Sequence, residues 1–105
     1  MKKEEQKILT NEAMTHFELA LSELNEDEQR KQLRYCSAYV WETEKYYVLQ
    51  SYGSFVACIE KETDTCYDVL RMVYGYTATS AQHIAKFKHD YGSGKWGCET
   101  TITAR

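Results

Sequence analysis

A chain of 105 residues supports one hydrophobic core, and we expect a single domain over residues 1–105. No segment approaches the about 20 consecutive apolar residues of a membrane-spanning helix, and residues 1–7 lack the apolar stretch of a signal peptide. These absences predict a cytoplasmic protein with no membrane partner. The formal net charge is −3, and the charges are unevenly distributed along the chain, since residues 1–32 carry eight acidic and five basic side chains.

The N-terminal third has the pattern of helices. Apolar residues recur at helical spacing and predict a helix over residues 10–24, with one face against the core; they are Ala13, Phe17, Ala20, Leu21 and Leu24. Asn25 is a favourable N-cap residue, and the acidic residues after it suit the first turn of a helix. A short second helix over residues 26–33 is therefore predicted.

The middle of the chain has the pattern of strands. Residues 46–52 alternate tyrosine and aliphatic residues between two faces, and Gly53 follows as a turn or bulge. Further strands are predicted over residues 37–41, 55–60 and 65–69, and an edge strand over residues 98–103. The predicted fold class is α+β, with an antiparallel three- to five-stranded meander and helices covering one face of it.

One capped helix is predicted near the C-terminus, over residues 79–91. Thr79 and Gln82 have the spacing of a capping box. Ile84, Phe87 and Tyr91 follow at helical spacing, and Gly92 stands where a left-handed C-terminal residue is expected.

Two surfaces are candidates for binding a partner. The acidic residues Glu23, Glu26, Asp27 and Glu28 form either a solvated helix surface or a surface that occupies the nucleic-acid groove of another protein. Tyr74 and Tyr76 are candidate partner-binding aromatics beside the predicted C-terminal helix. The alternative function is nucleic-acid binding, in which aromatic rings stack on bases and cations neutralise phosphates; its candidate residues are Arg71, Lys86, Lys88 and Trp96.

No catalytic, metal or cofactor site is predicted. The four cysteines are scattered singly, without the paired spacing of a zinc site, and are expected to be free thiols. His83 and His89 are six residues apart and would lie on different faces of a helix. Cys66, His83 and Asp68 could be drawn as a nucleophilic triad, but no nucleophile elbow supports it.

Residues 46–92 resemble a group of short uncharacterised proteins encoded by phages, prophages and mobile elements of Gram-positive and gut bacteria. The matching segments are Tyr47-Val48-Leu49-Gln50-Ser51-Tyr52-Gly53-Ser54-Phe55-Val56-Ala57 and Tyr76-Thr77-Ala78-Thr79-Ser80-Ala81-Gln82-His83-Ile84-Ala85-Lys86-Phe87. Where the similar proteins often carry arginine before the histidine, this chain has Gln82.

The resemblance implies a biological setting. Small acidic proteins of phages and mobile elements are frequently inhibitors of bacterial defence systems, including CRISPR nucleases. The resemblance therefore implies a non-enzymatic, anti-CRISPR-like protein that acts by binding a host defence protein. Neither the resemblance nor the residues indicate an oligomeric state.

Overall fold

A computed structural model describes residues 3–24, 30–34, 37–70, 78–93 and 97–104, except the side chains of residues 3, 4, 6 and 7. The fold is α+β, as predicted. Its elements in chain order are α1 (Lys3–Ser22), β1 (Lys31–Gln32), β2 (Ala38–Glu42), β3 (Tyr46–Ser51), β4 (Ser54–Glu60), β5 (Thr65–Asp68), α2 (Ala78–Tyr91) and β6 (Thr100–Thr103). Within these residues, no helix is long and apolar enough to cross a bilayer.

The sheet has six strands in the order β1-β2-β3-β4-β5-β6. The first five form an antiparallel meander, in which Tyr39 pairs with Gln50 and Cys58 pairs with Tyr67. Strands β2–β5 of this meander were predicted, whereas β1 was not. The last strand occupies an edge, as predicted, but it runs parallel to β5. The chain crosses through α2 before it returns as β6, and such a crossover is the connection that parallel strands require.

Two local features define the β3–β4 hairpin. Tyr52 and Gly53 both have positive φ, of 52° and 86°, as a tight two-residue hairpin turn requires. The register shifts within the hairpin, because Leu49 opposes Ala57 whereas Gln50 opposes Phe55. Val56 is therefore an extra residue, a β-bulge that lets both Val56 and Ala57 face the core.

The two helices pack on opposite faces of the sheet, so the prediction that they cover one face is wrong. The buried cluster between α1 and the sheet includes Phe17, Tyr46 and Val48, whereas the cluster between α2 and the other face includes Leu49 and Phe87. The physical reason is that β3 and β4 carry apolar side chains on both faces. A strand that is apolar on both sides must be covered on both sides.

The N-terminal region departs from the prediction at both ends. Helix α1 begins at Lys3 and ends at Ser22, whereas residues 10–24 were predicted. The predicted second helix is wrong for its described part, because Lys31 and Gln32 pair with Val40 and Tyr39 as strand β1. The fully buried Leu33 continues this hairpin by donating its backbone N–H to Ala38 O. Residues 25–29 lie outside the described residues.

Helix α2 lies close to its predicted bounds, but neither of its termini has the predicted capping residue in the predicted role. It begins at Ala78, so Thr79 lies inside the first turn rather than at the predicted cap. Gly92 follows the helix but does not have a left-handed φ. A Cβ on Gly92 would lie 2.6 Å from Cys98 N, Gly97 C and Lys88 O. Glycine is needed there because the chain packs against itself.

Candidate partner-binding surface

The end of α1 and two turns of the sheet enclose a cavity of about 510 Å³, which we call the acidic cavity. The turns connect β2 to β3 and β4 to β5, and they meet because alternate turns of a meander lie at the same end of a sheet. Four carboxylates line the cavity; they belong to Glu23, Glu44, Glu60 and Glu62. Glu23 Oε1 accepts a hydrogen bond of 3.3 Å from Lys45 N, which attaches the end of α1 to the β2–β3 turn.

His16 contacts two other side chains that line the acidic cavity. His16 Nδ1 lies 2.8 Å from the Tyr46 hydroxyl and 3.4 Å from Glu60 Oε2. The imidazole ring stacks on Tyr67, with 4.3 Å between the ring centroids. Burial, followed by the negative charge of Glu60, raises the pKa of Tyr46 to about 12. The phenol therefore stays protonated near neutral pH and can donate to His16.

The acidic cavity has more negative than positive charge available to a partner. Lys45 and Lys61 also line it. However, Lys61 Nζ lies 2.7 Å from Glu42 Oε2 and donates to Thr43 O at 2.7 Å. The charge of Lys61 is thus already compensated, and the cavity favours a cationic group.

A second cavity, of about 580 Å³, lies on the α2 face of the sheet, and we call it the tyrosine cavity. Tyr47 and Tyr91 line it with their ring centroids 5.0 Å apart, and Lys61 Nζ lies 4.7 Å from the centre of the Tyr47 ring. Glu44 and Lys61 line both cavities. The same end of the sheet therefore presents two adjoining concave surfaces.

Of the six residues predicted to bind a protein partner, only Glu23 is described. It lies in the acidic cavity. The other five lie outside the described residues, so their placement stays a prediction; they are Glu26, Asp27, Glu28, Tyr74 and Tyr76. The sequence interpretation missed Glu44, Glu60 and Glu62, which join Glu23 only when the sheet folds.

The structure describes two of the four residues that were predicted, under the alternative function, to bind nucleic acid. Arg71 and Trp96 lie outside the described residues. Lys86 and Lys88 are both half-buried on α2. Because they are two residues apart, their side chains leave the helix about 160° apart. Lys88 lies against Gly97, whereas the charge of Lys86 acts on His83. These two lysines do not form one basic patch.

The residues of the hypothetical triad have other partners. His83 is buried on α2, and its Nδ1 lies 2.8 Å from Ser51 Oγ on β3. Cys66 interacts with Cys98, and Asp68 Oδ1 accepts a hydrogen bond from Leu70 N. Burial, with a smaller effect from Lys86, lowers the pKa of His83. Ser51 is only 1% exposed, so a substrate cannot reach it, and the neutral His83 ties α2 to the sheet.

No group of three or more histidine, cysteine, aspartate or glutamate side chains in the described ranges is placed to hold a metal ion.

The chain matches no family model, no curated protein and no solved structure. The resemblance over residues 46–92 therefore stays a prediction.

Proposed function

We propose that this chain is a non-enzymatic interaction protein of a phage or mobile element, acting in the cytoplasm, and that it inhibits a host defence protein such as a CRISPR nuclease. The resemblance over residues 46–92 supports the setting. The observation that carries the mode of action is the convergence of four carboxylates around the acidic cavity.

The chemistry of such a partner follows from the acidic cavity. Nucleases bind the phosphate backbone with lysine and arginine side chains. Carboxylates held on a rigid scaffold can occupy the same cations, and complementary charge increases both the association rate and the specificity. Glu23, Glu44 and Glu62 are positioned by a helix end and two turns of one sheet, so little ordering is required upon binding.

An apolar contact accompanies the carboxylates. Leu19 lines the acidic cavity and is 50% exposed, so it offers apolar surface beside the carboxylates. A protein partner would bury this side chain, whereas a free metal ion or small cation would not. Glu26, Asp27 and Glu28 follow Glu23 in the sequence and stay predicted partner-binding residues.

The test is DNA cleavage by purified, guide-loaded CRISPR nucleases of Gram-positive hosts, titrated with this protein. Wild type should inhibit at least one of them. The triple variant Glu23→Lys, Glu44→Lys and Glu62→Lys should require at least tenfold more protein for the same inhibition, because it repels the cations that wild type attracts. The loss of Glu23 also removes the hydrogen bond to Lys45, so both proteins must first be shown to unfold at similar temperatures.

A matched control reverses three exposed carboxylates that do not line the acidic cavity, namely those of Glu5, Glu18 and Glu99. It changes the net charge equally and should inhibit almost as well as wild type. Equal losses in both variants would show a nonspecific charge effect and reject the acidic cavity as the site. Failure of wild type to inhibit any of the nucleases would reject the inhibitor function.

A further inference from the structure

Two thiols meet beneath α2, on the sheet face opposite the acidic cavity. Cys66 lies in the middle of β5 and is fully buried, and Cys98 precedes β6 and is half-buried. Cys66 belongs to the apolar cluster that includes Phe87, and Cys98 packs against that cluster. Each thiol acts on the pKa of the other, and both are free thiols. The fold thus brings together two cysteines that are 32 positions apart in the sequence.

The two sulfur atoms have different surroundings. Cys66 is held by strand pairing on both sides, to Ile59 of β4 and Thr101 of β6. Cys98 lies outside the strands and is partly accessible. The interaction with Cys66, together with the positive charge of Lys88, lowers the pKa of Cys98, whereas the same interaction and burial raise the pKa of Cys66. Cys98 is therefore the sulfur that meets a reagent first.

The backbone near Cys98 is anchored to the end of β5. The carboxylate of Asp64 accepts hydrogen bonds from Ser93 N at 2.8 Å and from Glu99 N at 3.0 Å. Glu99 N also donates to Asp64 O at 3.1 Å. These contacts hold Cys98 near Cys66, outside the regular hydrogen bonding of the sheet.

We propose that Cys66 and Cys98 form a redox site, in which a low-molecular-weight disulfide oxidises the two thiols to an intramolecular disulfide. This site is independent of the proposed inhibitor function. The other described cysteine, Cys58, lies in the cluster under α1 on the opposite face and takes no part.

The reaction proceeds by two thiol–disulfide exchanges. The Cys98 thiolate attacks one sulfur of the reagent RSSR, breaks its S–S bond and releases RS⁻, which takes a proton from water. Cys66 then loses its proton and attacks Cys98 Sγ in the mixed disulfide, which breaks that S–S bond and releases a second RS⁻, again protonated. Overall, two cysteine thiols lose two electrons and two protons, and RSSR becomes two RSH.

The test exposes the reduced, full-length protein to oxidised glutathione, followed by alkylation of the remaining thiols and peptide mass spectrometry. Trypsin should release Cys66 in peptide 62–71 and Cys98 in peptide 96–105, so their disulfide appears as one linked species. Wild type and the Cys58→Ser control should both give it. Because the disulfide closes a long loop around α2, oxidation should also raise the unfolding temperature by about 10 °C.

Two variants separate the steps. Cys66→Ala should accumulate the glutathione adduct on Cys98, because the resolving thiol is gone, whereas Cys98→Ser should leave Cys66 unmodified. A wild-type protein that gains only a lasting adduct on Cys98 would overturn the proposal. So would no reaction at either cysteine, or a disulfide joining either of them to Cys36 or Cys58. These outcomes are read from the wild-type protein alone, so they do not depend on the variants folding.

Discussion

Replacing Asp64 with asparagine should strongly destabilise the protein, because this carboxylate fixes the segment between α2 and β6. Asp64 is 9% exposed, and its two oxygens accept hydrogen bonds from Ser93 N and Glu99 N at 2.8 and 3.0 Å. Asparagine has the same shape but offers one oxygen and one NH₂ group. One of the two backbone amides would therefore face a donor instead of an acceptor.

The magnitude follows from these two contacts. A hydrogen bond to a charged acceptor contributes about 1.5–3 kcal/mol. The asparagine variant loses one such bond and weakens the other, so the free energy of unfolding should fall by about 2–4 kcal/mol. No backbone strain is added, because Asp64 has a φ of 54° and asparagine tolerates that region as well as aspartate does. The unfolding temperature should drop by about 10–20 °C.

Urea denaturation followed by circular dichroism measures this loss. The matched control is Asp90→Asn, because Asp90 also accepts two hydrogen bonds, of 2.8 and 2.7 Å, from Arg34. That pair is on the surface, with side chains 28% and 44% exposed, and such pairs contribute about 0–1 kcal/mol. If the Asp64 variant lost less than about 0.5 kcal/mol, or less than the Asp90 variant, the assigned role of Asp64 would be refuted.

Two further predictions concern His83 and Gly92. Burial lowers the pKa of His83 from its ordinary value of 6.5, so below that pH the unfolded chain binds more protons than the folded chain and stability decreases. Urea midpoints should fall from pH 7.5 to 5.5 more steeply for wild type than for His83→Asn, and equal slopes would contradict this. Gly92→Ala places a Cβ 2.6 Å from three backbone atoms and should cost more stability than Gly53→Ala, which meets nothing within 4 Å but keeps a φ of 86°. Thermal melts compare the two variants, and the opposite order would show that the segment around Gly92 can move aside.

The sequence predicted the strands well because their signals are local. Alternation in residues 46–52 and the polar connection at residues 61–64 mark β3 and the β4–β5 turn, and both are confirmed. The two-residue strand β1 has no such signal, because Lys31 and Gln32 are exposed and polar. Its pairing depends on the burial of neighbouring Leu33, which a helical interpretation accommodates equally well.

The arrangement of elements was less predictable. The apolar residues on both faces of β3 and β4 were readable in the sequence and indicate a sheet covered on both sides. The acidic cavity depends instead on strand order, since Glu44 and Glu62 belong to different turns. Once the meander is predicted, those turns must lie at the same end of the sheet. The proximity of Cys66 and Cys98 required the parallel position of β6, which no local pattern in the sequence indicates.

We propose that the partner of this chain is a protein with a basic surface and not a nucleic acid. Fluorescence anisotropy of labelled single-stranded and duplex DNA and RNA, titrated with the purified protein at about 50 and 200 mM salt, tests it most directly. We predict no binding at either salt concentration, because Lys86 and Lys88 do not form one patch and the acidic cavity repels phosphates. Tight binding that weakens steeply with salt would contradict the claim and establish the nucleic-acid alternative.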